Sequence, residues 1–549
     1  MFRKNDGHLQ KPLLSDLDVL PEKLKNQLEN SWAATFYEEI FVRLDETPFA
    51  VLYADKASRP NIPINVLVGL EILKAMFGWS DEELYNNYRF NIQVRYALGY
   101  QNFDEGHFDL RTLYNHRRRL SNWMQTDGED LLSAAFKQVT DAQLSSFGLK
   151  SDKLRMDSTQ VASNIRQFSR LQLLVEVLQR VHRDLGEAEQ QRYATDFIPY
   201  LKGSSGQYIY HLKPGSYDEH LAEIGTLIAK LLSELPPVYH QQETYQLLRR
   251  VFDEHFSVEE ADDDHPTDGT APQPRPPAQL SANSLQSPDD PEATYRLKRG
   301  EGYQGYVANV TETCHPDNPF QLIVNLQTAP NTTDDATLLA QALPELKERT
   351  GVNEMQTDGG YNSPAQVDPL LRELEVDLVQ SAIRGRQPDP AKLNLDDYTW
   401  ALDPDGQPVA LTAPNGQRAD VEPGRKSHRF IARFAPPDDP IDTLETGTAK
   451  LPPPPILYFS QAEFDLAQRR QRSKQERAGG RNLRAAVEAT VGAIKRPFSN
   501  DKLPVRGLFR VHSMLIGSAM GVNLRRLHRH RTDQRKNDDQ QGPQSPPNN

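Results

Sequence analysis

The sequence predicts an α/β protein: a mixed sheet flanked by helices, preceded by an all-helical domain and carrying one helical and one β-rich insertion. Three observations carry this reading. Apolar residues recur at helical spacing before residue 145. Short apolar runs rich in β-branched residues alternate with helical stretches between about 152 and 385. Charge is distributed so unevenly that successive segments must have different surroundings. A chain of 549 residues exceeds what one core supports, and its 37% apolar content can fill several.

Residues 1–145 read as the helical domain. In "RPNIPINVLVGLEILKAMFGWSDEEL", Pro63 stands at a helix start, apolar residues at 66, 67, 70, 73 and 77 share one face, and Ser80 with Glu83 forms a capping box for the next helix. Farther on, "RTLYNHRRRL" (111–120) places Arg117, Arg118 and Arg119 together, either as phosphate contacts or as the basic end of a helix facing water.

Strands begin at "KLRMDSTQVA", in the segment 150–252, followed by a helix over about 166–186 and further helical sequence. Residues 253–293 read as an acidic, Pro-rich disordered linker: positions 251–292 hold eleven Asp or Glu against the single Arg275. Strands resume in 294–385 with "GYQGYVANVTET" and "FQLIVNLQT". A helix over 333–351 ends at a Gly, and "VNEMQTDGGY", "PAQVDPLLRELEV" and "DLVQSAI" complete a βαβ pattern that requires parallel strands. Residues 386–457 read as a β-rich insertion with a Pro-rich connection, 458–531 as a C-terminal part with basic helices, and 532–549 as a disordered tail. Between 466 and 536 eighteen Lys or Arg face four acids, so a chain of formal charge −13 ends in a basic module.

Three acids stand out. Asp157 sits inside the strand-like "LRMDST", where the plain alternative is a turn or cap. Asp358, in "MQTDGGY", falls at the carboxyl end of a strand, where open α/β sheets place their sites; an ordinary Asp-Gly turn is the alternative. Glu488 shares a helical face with Arg481, Arg484 and Lys495; taken alone, an ordinary i,i+4 pair with Arg484 on a solvated face is the simpler explanation. The cluster "RRLHRHR" (525–531) reads as a solvated basic tail, not a metal site, since its arginines would repel a cation. No G-x-x-x-x-G-K-[ST] loop supports ATP hydrolysis, and no G-x-S-x-G elbow supports a serine hydrolase.

Taken together these segments resemble the DDE transposases of bacterial insertion sequences. That family carries a Tyr-x2-Arg-x3-Glu-x6-Lys signature, matched here by Arg484, Glu488 and Lys495 with Arg481 in the tyrosine's place; "MDST" and "TDGGY" correspond to the first two acids. The segment "RPNIPINVLVGLEILKAMFGWSDEEL" resembles the helical domain often found ahead of that core. The resemblance implies a ribonuclease H-like sheet with Asp157, Asp358 and Glu488 converging as catalytic and metal-binding residues, and Mg²⁺-dependent phosphoryl transfer on double-stranded DNA. Phosphodiester exchange without a covalent protein intermediate uses two hard cations about 3.5–4 Å apart, which suits carboxylate ligands. Asp157 would bridge two Mg²⁺ ions, with Mn²⁺ able to substitute, and Asp358 and Glu488 would each hold one.

The implied activity is cleavage at terminal inverted repeats followed by strand transfer, in a homodimer or higher assembly that pairs two element ends. A metal-dependent nuclease without strand transfer, or a DNA-binding remnant with idle acids, are the alternatives. Arg481, Arg484 and Lys495, Arg117, Arg118 and Arg119, and Arg525 and Arg526 are the expected DNA contacts. The single Cys314, the lack of an apolar run of membrane or signal-peptide length and the basic module predict a cytoplasmic, nucleoid-associated protein with no membrane partner.

Overall fold

The computed structural model describes residues 1–541 apart from 11–14, 55–59, 214, 259–270, 299, 382, 384–387, 390–391, 425–428, 436–452 and 479–482. Its longer elements begin with four helices, α1 (Ile64–Phe77), α2 (Asp81–Phe90), α3 (Leu110–Asp127) and α4 (Leu131–Ser146). Strand β1 (Lys153–Val161) follows, then α5 (Arg170–Asp184), α6 (Tyr217–Glu234) and α7 (Glu243–His255). Next come β2 (Thr294–Lys298), β3 (Glu301–Thr313), β4 (Ile323–Pro330), α8 (Asp335–Thr350), β5 (Glu354–Thr357) and β6 (Asp377–Gln380). Strands β7 (Thr399–Leu402), β8 (Pro408–Thr412), β9 (Arg418–Pro423), β10 (Arg429–Arg433) and β11 (Ile456–Ser460) precede α9 (Gln461–Ala478), α10 (Ala485–Lys495) and α11 (Leu508–Gln541).

The main sheet runs β4-β3-β1-β5-β6, with β2 sharing the outer edge of the long β3. Strands β1, β3 and β4 are antiparallel neighbours, β3 and β4 through a short connection and β1 and β3 across the whole of α5–α7; β1, β5 and β6 are parallel, and each crossover carries a helix. Alternation along β1 explains how the sheet is covered. Leu154 and Met156 pack with Leu339, Leu343 and Leu346 of α8, whereas Val161 joins Val310, Ile494, Val511 and Leu515 beneath α10 and α11. Arg155 and Asp157, two apart on β1, therefore share the face covered by α10 and α11.

That same core takes in the helical domain, because α11 lies against α1. Gly517 and Gly521, four residues apart on α11, make the approach possible: a side chain there would come within 2.7 Å of Ala75 and Met76. The capping box of Ser80 and Glu83 opens α2 as its sequence requires, and Gly351 ends α8 in the left-handed conformation. Helices α5 to α7 bury a core of their own around Leu174, Phe197, Ile228 and Leu248. Strands β7 to β11 form one antiparallel sheet in the segment read as β-rich, packed with Tyr398, Phe459 and Phe464 of α9. Among the described residues, no helix is long and apolar enough to cross a membrane.

Two segments differ from the disorder expected of them. Within 253–293, residues 259–270 lie outside the described residues, but the flanking parts are built into the protein. Leu285 sits in the α5–α7 core, and Asp290, fully buried, accepts from Ser163 Oγ (2.7 Å) and the Tyr306 hydroxyl. Likewise α11 continues past 531 to Gln541, with Thr532 bonded back to His528 and Arg535 to Asn30. Acidic, Pro-rich composition counts polar residues without revealing that a buried partner awaits them.

Candidate active site

The parallel register of β1 and β5 places the first two acids. Arg155 stands opposite Gln356, so two residues further on Asp157 is level with Asp358, at the point where β5 ends. Neighbouring strands lie about 4.8 Å apart, which sets the two carboxylates side by side. Asp358 is fixed locally: its Oδ1 accepts from the Gly360 N–H (2.7 Å), and its carbonyl accepts from Gln380 Nε2 (3.0 Å) on β6. Burial raises the Asp157 carboxyl above the usual aspartate range; Arg484 works against that shift, and the charge of Asp358 adds to it.

Arg484 immediately precedes α10 and reaches back to the strand, Nη2 standing 3.3 Å from Asp157 Oδ1 and 3.8 Å from Glu488 Oε1. Its Nη1 donates to Ser381 Oγ (3.3 Å), just past β6. Asp157 is largely enclosed, while the Glu488 side chain is 68% exposed. The guanidinium thus occupies the space between the paired aspartates and the glutamate. Among the described residues no three acid, His or Cys side chains converge closely enough to hold a metal ion. As a donor set, Asp157 and Asp358 suit a hard divalent cation: both are oxygen ligands, and their mutual repulsion is what such an ion relieves.

A buried ionic network, absent from the sequence reading, fixes α10 to the sheet. Glu312, opposite Arg155 in the β1–β3 register, is fully buried and accepts from Arg155 Nε (2.7 Å), Thr490 Oγ1 (2.9 Å) and Arg526 Nη1 (2.7 Å). Arg155 also donates to the Leu483 carbonyl (2.7 Å), the residue before Arg484. Thr490 lies two residues after Glu488, so both ends of the helix segment carrying the candidate acid are tied to one carboxylate. On the opposite face, the Ser158 hydroxyl donates to Asp335 Oδ1 (2.7 Å) at the start of α8. The Tyr361 hydroxyl donates to Asn309 Oδ1 (2.6 Å), stitching the turn after Asp358 to β3. In the sequence the Glu312 network shows only as opposite charges, Arg155 and Glu312, placed in two strands far apart along the chain.

The expected DNA contacts divide. Arg118 and Arg119 are exposed, Arg119 lying over the Tyr53 ring at 4.8 Å. Arg117 turns inward instead, to Glu71 (2.7 Å) and Asp81 (2.7 Å). Arg525 is exposed near Arg496, whereas Arg526 serves Glu312 and is not a free surface cation. The basic tail around it is similarly pinned, Arg531 pairing with Glu38 and Glu39. Lys495 lies 3.4 Å from Asp501, and Arg481 falls outside the described residues.

Burial alone would push the Asp81 carboxyl up, but Arg117 and Lys74 overcome it and hold it at about 2, against an ordinary 3.8. A depressed folded value contributes stability above the unfolded value and loses it as pH falls from about 4 towards 2. At about 1.4 kcal/mol per unit, Asp81→Asn should cost about 2 kcal/mol at pH 7. Urea unfolding at pH 7 and pH 2.5 checks this: the gap to the parent protein narrows to under about 1 kcal/mol at the lower pH, and an equal gap at both would refute the ion-pair account.

Residues 24–119, which run through α1 and α2 to Arg119 in α3, match the family model described as Transposase domain (DUF772). No curated protein and no solved structure matches the chain. The family match supports a transposase role.

Proposed function

We propose that this chain is a DDE-type transposase that cuts DNA at the terminal inverted repeats of its element and joins the freed 3′ ends to target DNA. One observation carries the reading: a mixed sheet of three antiparallel strands followed by two parallel ones, the order that a ribonuclease H-like core would have, brings Asp157 level with Asp358 beneath the helix that begins at Arg484 and bears Glu488. The transposase-domain match at 24–119 supports it from an independent part of the chain.

In this mechanism Asp157, Asp358 and Glu488 would hold Mg²⁺. The bound ions would activate the attacking oxygen and stabilise the leaving one. Asp157 and Asp358 are held in place by β1 and by the bonds from Gly360 and Gln380, so the site is organised before substrate arrives. Arg484, the counter-charge of Asp157 in the free protein, transfers to a substrate phosphate, which leaves Glu488 and the aspartates to meet. Water first attacks the phosphorus at the element end and the 3′ oxygen leaves with a proton; that 3′ hydroxyl then attacks a target phosphodiester, displacing its 3′ oxygen in turn. Pairing of two ends in one complex calls for at least a dimer.

A second reading, a DNA-binding remnant with idle acids, draws on the exposure of Glu488 and its separation from the aspartates by Arg484. Incubating the purified chain with labelled duplexes ending in the inverted repeats that flank its gene separates the two. Mg²⁺- or Mn²⁺-dependent nicking at the repeat boundary, with Ca²⁺ supporting binding only, is the expected result. Tight repeat binding without nicking in any of these ions would favour the remnant, and nicking without joined products would reduce the activity to that of a nuclease.

A further inference from the structure

A cleft of about 790 Å³ opens where α3 of the helical domain faces the first turn of α11, floored by Asn164 just beyond β1. Its acids are already neutralised: Glu71 by Arg117 (2.7 Å), and Asp81 by Arg117 (2.7 Å) and Lys74 (2.6 Å). Four exposed arginines remain. Arg506 is anchored to the Asn164 carbonyl (2.6 Å) and to Asp289 (3.3 Å), and Arg118 reaches only Asn115 (3.3 Å). The side chains of Arg111 and Arg510 have no partner among the described residues. In a chain of formal charge −13, cations from two separate segments gather on one concave surface, and among the described residues Arg111, Arg118 and Arg510 pair with no acid.

We propose that this cleft seats the sugar-phosphate backbone of duplex DNA, with Arg111, Arg118 and Arg510 as the phosphate contacts. The proposal rests on the transposase reading and adds where the duplex lies. Asn164 is seven residues past Asp157 along a chain that is extended to Val161. At about 3.3 Å per residue Asn164, in the wall of the cleft, lies at most about 23 Å from Asp157, or about seven base pairs at 3.4 Å each. One duplex therefore spans both, and a helical domain packed on α11 measures the distance from a backbone contact to the bond that is cut.

The full chain and the triple variant R111Q/R118Q/R510Q are compared for binding to a repeat-end duplex across a salt series, with phosphate-ethylation interference mapped on the same duplex. The slope of log affinity against log salt should fall by about 2.7 in the variant, at about 0.9 per lost phosphate contact. Interference up to about seven base pairs from the cut, apart from that at the cut itself, should vanish, and R111K/R118K/R510K should restore both. An unchanged slope and pattern in a variant whose thermal midpoint matches the parent would overturn the cleft assignment. So would loss of polyglutamate binding with duplex binding intact, which would make this a site for acidic protein. Failure of the parent chain to bind duplex at all would instead overturn the transposase reading on which the proposal stands.

Discussion

Asp157→Asn, Asp358→Asn and Glu488→Gln should each lower Mg²⁺-dependent strand cleavage by more than about a hundredfold, while duplex binding and thermal midpoint stay close to those of the parent. Changes around a metal's ligands alone cost about 10- to 100-fold, and removal of a ligand charge should cost more. The volumes are conserved, so packing gives no competing explanation. Asp157 sharpens the test, since a carboxyl whose ionisation burial disfavours subtracts from stability at neutral pH. Its amide should leave the fold no less stable while removing the activity, the pattern of a group retained for chemistry. Asp377, paired with Arg472, and the exposed Glu373 lie near in sequence, and their amides should keep most activity. A Glu488→Gln protein that still cuts would dissociate this helix from the third-ligand role and leave the two aspartates to be completed by another group.

The parts of the architecture written in local pattern were legible from sequence. The strand beginning at Lys153, the capping box of Ser80 with Glu83 and the glycine end of the helix at Gly351 follow from residues within a few positions of each other. Asp358 at a strand end was legible for the same reason. What could not be read was which distant residues share a face. Spacing alone made Arg484 and Glu488 a helical pair; only the fold brings Arg484 to Asp157, 327 positions away. Arg526 looked like one more cation in a basic tail because nothing local marks Glu312 as its partner. The ordering around Asp290 was hidden in the same way, its partners Ser163 and Tyr306 lying on separate segments. Buried polar pairs are long-range facts, and composition sees only half of each.

Glu312→Leu should destabilise the protein by about 3–5 kcal/mol, the cost of leaving one side of a buried ion pair without its partner. The carboxylate serves Arg155, Thr490 and Arg526, all at hydrogen-bonding distance, so its removal strands two guanidinium groups inside the face covered by α10 and α11. Leucine fills much of the same space, which assigns the loss to charge and not to a cavity. Urea unfolding gives the number, and a loss below about 1 kcal/mol would mean that the arginines find other partners and that α10 is held by apolar packing alone. Glu312→Gln is the milder companion: it keeps the shape and an acceptor oxygen, and should fold. Arg155 would then hold the Leu483 carbonyl less firmly, and Arg484 and Glu488 follow directly in the chain. Cleavage by this variant should therefore fall at least about tenfold with duplex affinity unchanged, and raising Mg²⁺ should recover part of it. A parallel loss of affinity and cleavage that no Mg²⁺ concentration recovers would show that Glu312 supports the fold without setting the position of the third acid.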